Sequence, residues 1–418
     1  MLPDNSQRVG AIVRPPISVL GIVVCLLLIV WSGQYGLSRV LGRYALLTHS
    51  ISAAAEAVRL TPWDPDAHRA LSTTFREVHM FREAEREVAL AASLRPNDDL
   101  LWLDLGTARD QLEDAQGALS AFDQAVTRAP YYAHTRWERA NVRLRMGRYD
   151  EAFAELREAA KSNRMYLSTL IDLAWGLSRG DAKETEQLAG IESANSRVEF
   201  ARFLALKGEG TETLEQYKQA ESCFTEVQKR QLVQSLMAAH EYEAAFAIWS
   251  GADSKSSIYD GGFEGVISFD EVGFGWHVPR AQSNIEVSLD TSEKESGSKS
   301  IRVAYKGDSP PESPVLTQTV VVKPNQTYRI YFAVKANNIV SGGLPVFAVN
   351  DARSNTVLSI TNLPENDGAW EKRTLEFTTA PTCQAIALSL KRKQCQSSPC
   401  PIFGTIWLDG FAIEELKH

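Results

Sequence analysis

Seven histidines are scattered along 418 residues, and none falls at a spacing that builds a metal site or a catalytic pair. His240-Glu-Tyr-Glu-Ala244 has the first half of a His-Glu-x-x-His zinc helix, but Ala244 stands where the second ligand is needed. Ser296-Gly-Ser-Lys299 has the spacing of a serine nucleophile and its lysine, yet it sits in a turn before a predicted strand and not on a helix. The sequence contains no Gly-rich phosphate loop and no Gly-x-Ser-x-Gly elbow. Cys383, Cys395 and Cys400 lie near the C-terminus, but a C-x4-C spacing with no nearby His suits zinc poorly. Two readings of Cys395 and Cys400 stay open, a small-loop disulfide formed in an oxidising compartment or two free thiols. The residues therefore point to binding and not to catalysis, and no enzyme is expected.

The composition sets what can position such residues. The chain weighs 46.3 kDa, room for two or three domains at about 150 residues each. Hydrophobic (44%), charged (23%) and aromatic (9%) fractions are ordinary globular values, which exclude a disordered, collagen-like or polytopic membrane chain. A net charge of −8 and a pI of about 5.6 argue against a general nucleic-acid binder, so no nucleic-acid partner is expected.

That average hides the N-terminus, where no charge occurs between Arg14 and Arg39. As a helix, residues 15–38 would span about 36 Å, enough for a hydrocarbon core of about 30 Å. Pro15 and Pro16 suit its start, and Trp31 and Tyr35 suit an interfacial belt. A retained transmembrane helix is expected. The rival is a signal peptide cut near Val30-Trp-Ser32, although no Ala-x-Ala follows the apolar run. Arg8 and Arg14 balance Arg39 and Arg43, so charge does not orient the helix.

A period of 34 residues follows, marked by Pro62, Pro96 and Pro130. Ala84, Ala118 and Ala152 share one phase. Val88, Phe122 and Leu156 share a second, and Ala91, Ala125 and Ala159 a third. Phases four and seven apart form one stripe of a helix. The pattern predicts helical hairpins, each closed by proline and stacked on the next, because one hairpin cannot bury its own face. The unit Trp102-x-x-Leu105-Gly106 … Ala118-x-x-x-Phe122-x-x-Ala125 … Pro130 resembles the tetratricopeptide repeat (TPR). His68 and Arg136 replace its first aromatic in the flanking units. The clearest repeats are 65–98, 99–132 and 133–166, and residues 37–46 read as a first helix running on from the membrane segment. Weaker copies begin near Leu170, Phe200 and Leu232. The resemblance implies a protein partner held in a groove lined by first helices, with Arg69, Thr73, Arg76, Trp137, Asn141 and Arg145 facing it.

Near residue 251 helical periodicity stops, and short β-branched and aromatic strands alternate with turns from 300 to 408. Seven or eight such strands argue a sandwich or jelly roll. Gly261-Gly-Phe-Glu264, Phe274-Gly-Trp276, Gly297-Ser-Lys-Ser-Ile-Arg-Val303, Ala369-Trp370 and Trp407-Leu-Asp409-Gly occur in an order that resembles jelly-roll carbohydrate-binding modules, related to galactose-binding-like domains. The resemblance implies a structural calcium at Glu264 and Asp409 that ties the first strand to the last, although Gly410 replaces the usual second acidic residue. It also implies a polysaccharide ligand, with Trp276, Trp370, Trp407 and Tyr331 divided between stacking and core roles.

The expected plan is multidomain: a single transmembrane helix, an all-α TPR solenoid and an all-β jelly-roll sandwich. Residues 1–14 form a cytoplasmic N-terminus, 15–38 the membrane helix, 39–250 the helical repeats, 251–257 a linker and 258–418 the β-domain. The expected protein is a non-catalytic scaffold in a bacterial inner membrane, facing the periplasm. It would hold a protein partner and contact a polysaccharide in envelope or exopolysaccharide assembly. The alternative is a glycan-binding adhesin or receptor whose solenoid is only a spacer.

Overall fold

The computed structural model describes residues 17–251, 258–267, 272–279, 284–365, 368–395 and 399–416. Residues 1–16, which include Pro15 and Pro16, and residues 252–257 of the expected 251–257 linker lie outside them. Two compact units are present. One runs to Ala174 and includes Leu188–Gly190; the other comprises Trp175–Gln187 and Ile191–His418. The division falls within a helix and not at the compositional change near 251.

The first unit opens with α1 (Ile17–Thr48), a single unbroken helix. It is long and apolar enough to cross a membrane, and Ile22, Leu27 and Ile29 are each more than 60% exposed. Its last third is different. Ser38 and Ala45 are buried, and the Ser38 hydroxyl donates to the Ala57 carbonyl on α2 (Ile51–Leu60) at 2.9 Å. This end of α1 is the first arm of a hairpin with α2. Three further hairpins follow: α3 (Pro65–Glu77) with α4 (Phe81–Leu94), α5 (Asp99–Gln111) with α6 (Ala115–Arg128), and α7 (Ala133–Arg145) with α8 (Tyr149–Ser162). Asp64 and Asp98 cap α3 and α5 by accepting from the N–H groups of Asp66 and Leu100. The periodic stripe Ala84, Val88, Ala91 and its repeats at Ala118, Phe122, Ala125 and Ala152, Leu156, Ala159 are all buried. Gly106 fits against the Phe122 ring so closely that a Cβ there would lie 2.5 Å from it.

The repeat also has a polar tie. Trp102 Nε1 donates to the Pro96 carbonyl at 2.8 Å, and Arg136 Nε to that of Pro130 at 2.7 Å. His68 Nε2 lies 3.0 Å from the Pro62 carbonyl, which can only accept. What the position requires is an N–H donor that holds the preceding turn, which a Trp, a His or an Arg supplies.

α9 (Met165–Leu177) and α10 (Ala182–Ala189) cross the division between the units. The second unit continues with hairpins α11 (Ala194–Lys207)–α12 (Gly210–Ala220) and α13 (Glu226–Ala238)–α14 (Tyr242–Ser250). Among the described residues nine antiparallel strands follow: β1 (Ile285–Asp290), β2 (Ser300–Asp308), β3 (Leu316–Val321), β4 (Thr327–Ser341), β5 (Pro345–Asp351), β6 (Val357–Asn362), β7 (Glu371–Thr378), β8 (Ala385–Arg392) and β9 (Pro401–Leu416). They form a five-stranded sheet, β1-β2-β9-β4-β7, and a four-stranded sheet, β3-β8-β5-β6. The core between them gathers Ile301, Tyr328, Phe332, Phe347, Leu388 and Leu408, with Trp276, Phe263 and Phe411 at one end. Gly261 is required there, since a Cβ would run into the Phe411 carbonyl oxygen. The last helix packs directly on the sandwich: Phe246 meets Phe274 edge-on at 4.9 Å, and Val321 and Ala385 join the same buried cluster as Ile248.

Candidate functional site

The structure brings three of the six expected groove residues, Arg69, Thr73 and Arg76, into one cavity of about 810 Å³. The size lies within the roughly 300–1,000 Å³ typical of ligand sites. α3 forms one wall, and the end of α1 forms the other with Arg39, Val40, Arg43 and Leu46. Residues 37–46 read as a first helix, and Arg39 lies one period before Thr73, so the 34-residue phase could have found this wall.

Charge is unevenly spent in this cavity. Arg39 Nη2 donates to Asp66 at 3.1 Å, and its Nε lies 3.9 Å from the capping Asp64. Arg95 reaches the same two carboxylates at 3.1 and 3.9 Å. Arg69 pairs with Asp104 of α5 at 2.7 Å. The three lining carboxylates are thus already engaged, while Arg43 and Arg76 have no ion-pair partner among the described residues. The lining also carries exposed apolar side chains, Val40 and Leu46 of α1.

The other three expected residues do not line this cavity. Arg145 pairs with Asp110 of α5, an exposed pair that repeats the α3–α5 tie one unit on. Such pairs contribute at most about 1 kcal/mol each. Trp137 stacks on Tyr166 at 4.7 Å, so its ring already has a partner. Asn141 is half-buried on the same helix.

Glu264 and Asp409 meet the same loop from opposite sides. Asp409 is fully buried. Its Oδ2 accepts from the N–H groups of Glu295 and Ser296, both at 2.9 Å, and its Oδ1 from Gly410 N–H at 2.7 Å. Glu264 Oε1 accepts from Ser298 N–H at 2.7 Å and Lys299 N–H at 3.3 Å, and its Oε2 from the Ser298 hydroxyl. These bonds hold the Glu264 carboxyl below its usual range, with the Ser298 hydroxyl the largest cause. The Lys299 ammonium donates to the Glu264 and Gly265 carbonyls at 3.0 and 3.2 Å. Every carboxylate oxygen is taken by an N–H or O–H donor, and an ammonium occupies the nearby carbonyls. Carboxylate oxygens can accept such bonds and still ligate a metal, so what disfavours calcium is the Lys299 ammonium on the Glu264 and Gly265 carbonyls, a cation standing where the metal would. Among the described residues no three His, Cys, Asp or Glu side chains cluster as metal ligands.

The expected stacking aromatics are mostly committed. Trp276 lies in the core and donates to the Asp260 carbonyl at 3.0 Å. Trp407 is buried, donates to Asp290 at 2.9 Å and has the Lys335 ammonium over its ring at 5.8 Å. Trp370 is half-exposed. Tyr331 is half-exposed on the outer face of the five-stranded sheet, where its hydroxyl meets Glu414 and the Arg329 guanidinium lies 6.0 Å from its ring. Cys395 and Cys400 are joined by a disulfide, with Cα atoms 6.1 Å apart. The buried Arg392 props that loop by donating to the Cys400 carbonyl at 2.8 Å and to the Ser309 carbonyl at 2.7 Å.

A family model described as a carbohydrate binding domain matches residues 255–396. Protein FlbA of Caulobacter vibrioides is 30% identical over 101 residues, which are 24% of this chain and 17% of that protein. The match thus spans well under two thirds of the relative's length. Among solved structures, the chain is similar to YrrB, described as a TPR protein with an unusual peptide-binding site, at 15% identity, a TM-score of 0.32, and coverage of 37% of this chain and 84% of that one. It is also similar to a structure described as CBM4 structure and function, at 14% identity, a TM-score of 0.30, and coverage of 38% of this chain and 99% of that one.

Proposed function

We propose that the chain is a non-catalytic scaffold, anchored in a bacterial inner membrane by α1 and carrying its repeats and sandwich in the periplasm. The helical repeats are TPR-like in period and hairpin geometry, and the sandwich matches a carbohydrate-binding family. The observation that carries the reading is the continuity of α1. One unbroken helix presents an apolar, exposed stretch and then becomes a wall of the repeat groove. A groove built on the anchor itself suits holding a protein partner at the membrane. The sandwich then serves to contact a polysaccharide during envelope or exopolysaccharide assembly.

Topology and binding are tested together. A Thr73→Cys variant should react with a membrane-impermeant maleimide in intact spheroplasts; protection there, with reaction after lysis, would sink the periplasmic placement. Partner recovery should depend on Arg43 and Arg76, which line the groove. If alanine at both leaves every interaction intact, the groove reading falls. Residues 191–418 on a glycan array test the sandwich, and a blank array would remove the polysaccharide from the proposal.

A further inference from the structure

The groove carries more information than that something binds in it. Its two unpaired cations, Arg43 and Arg76, come from different walls, and the lining also carries the exposed apolar side chains of Val40 and Leu46. Every carboxylate in the lining already has an arginine. An occupant must therefore bring its own negative charge and its own apolar side chains. A bare inorganic anion would leave Val40 and Leu46 uncovered.

Position narrows the choice again. Arg43 lies six residues beyond Leu37 on the same unbroken helix, about 9 Å along its axis. That is within about one Debye length of a bilayer surface placed at the end of the apolar stretch. A segment that reaches this groove has to run close to the membrane.

We infer that the occupant is an acidic, apolar-flanked juxtamembrane segment of another membrane protein, held between Arg43 and Arg76. This rests on the reading of α1 as a membrane anchor and of the groove as a partner site. The acidic side chains pair with the two arginines, while flanking apolar side chains cover Val40 and Leu46. Arg69 and Arg39 keep their places in the wall through Asp104 and Asp66.

The test uses the full chain in its native membranes. A photo-crosslinking Thr73→p-benzoylphenylalanine variant is irradiated, and the adduct is mapped by mass spectrometry. The expected adduct peptide carries net negative charge and lies within a few turns of a membrane span of its own protein. The yield should fall at least tenfold when Arg43→Glu and Arg76→Glu are added, with helical content by circular dichroism unchanged. An adduct that survives the double charge reversal overturns the inference, as does a lipid adduct, a basic or neutral segment or a soluble partner. The absence of any adduct at Thr73 overturns the partner-site reading itself, so the two failures are distinct.

Discussion

His68 is the one place where the polar tie of the repeats depends on pH. Trp102 and Arg136 make the same tie with N–H groups that stay protonated. His68 has two acceptors to satisfy, the Pro62 carbonyl at Nε2 and Glu87 Oε2 at Nδ1, 2.7 Å away. With Glu87 ionised, neither acceptor has a proton to give, so only the imidazolium satisfies both. The side chain is 3% exposed. The bond to Glu87 raises its pKa above the ordinary 6.5, burial opposes this, and the Pro62 carbonyl adds to the rise.

Because the folded pKa lies above the unfolded one, the folded state binds the extra proton between the two values, and stability falls as pH rises there. The contribution is complete below about pH 6.5 and is lost as pH rises through the folded value. The charge-assisted Nδ1–H to carboxylate bond caps its size at about 1.5–3 kcal/mol, and burial reduces it below that. At about 2–4 °C per kcal/mol for a unit of this length, the Tm should drop by less than about 12 °C across the window. His68→Trp keeps an N–H for Pro62, as Trp102 does for Pro96, and removes the titration. Thermal unfolding of the full chain in detergent, followed by circular dichroism at a series of pH values, should show the drop in the wild type and not in the variant. Parallel profiles for the two proteins would refute the argument, as would a His68 pKa at or below 6.5 by NMR.

The clamp at Glu264 and Asp409 should work without metal: excess EDTA and millimolar calcium leave the Tm unchanged, while Asp409→Ala costs about 3 kcal/mol by stranding the Glu295 and Ser296 N–H groups. A Tm lowered by chelator and restored by calcium would overturn that assignment. Phe122→Ala should cost about 3–5 kcal/mol in chemical denaturation, since the ring is buried and packed on Gly106. Residues 258–418 alone should bind an apolar-surface dye that residues 191–418 do not, because removing α14 uncovers Phe274, Val321 and Ala385. Mass spectrometry of alkylated, unreduced protein should find Cys395 and Cys400 unmodified, and replacing both by Ser should cost about 2 kcal/mol for a loop this short.

The repeats were legible because burial in a helical hairpin demands a fixed phase. The stripe from Ala84 to Ala159 could be read before any fold was known. The same reasoning explains which elements escaped notice. β1 and β6 each form one edge of a sheet, as β7 and β3 form the other edges. β1 and β6 bury none of their side chains fully, so they lack the strongly apolar runs of the central strands, although Ile285–Asp290 does alternate apolar with polar residues. α10 and α12 are short second arms, and neither preserves the Ala-x-x-x-Phe spacing that identified α6.

The candidate sites divide along a similar line. The TPR resemblance pointed to Arg69, Thr73 and Arg76 on α3, and those three line one cavity. It pointed also to Trp137 and Arg145, yet Tyr166 and Asp110 engage them, and a family pattern does not record which neighbour a side chain meets. The Glu264–Asp409 pair goes further. The resemblance to carbohydrate-binding modules implied a clamp between these two carboxylates, and the fold brings both to residues 295–299. The clamp is lined by backbone N–H groups, which every residue but proline carries and which no sequence pattern distinguishes. Lys299 adds the only side-chain hint, a cation of fixed charge beside the carbonyls that a metal would otherwise use. Replacing it with Met removes those donors while leaving both carboxylates in place. If the ammonium acts as the clamp's cation, Lys299→Met should lower the Tm without making the protein respond to calcium; a gain of calcium binding in that variant would show that the carbonyls, and not the carboxylates, set the preference.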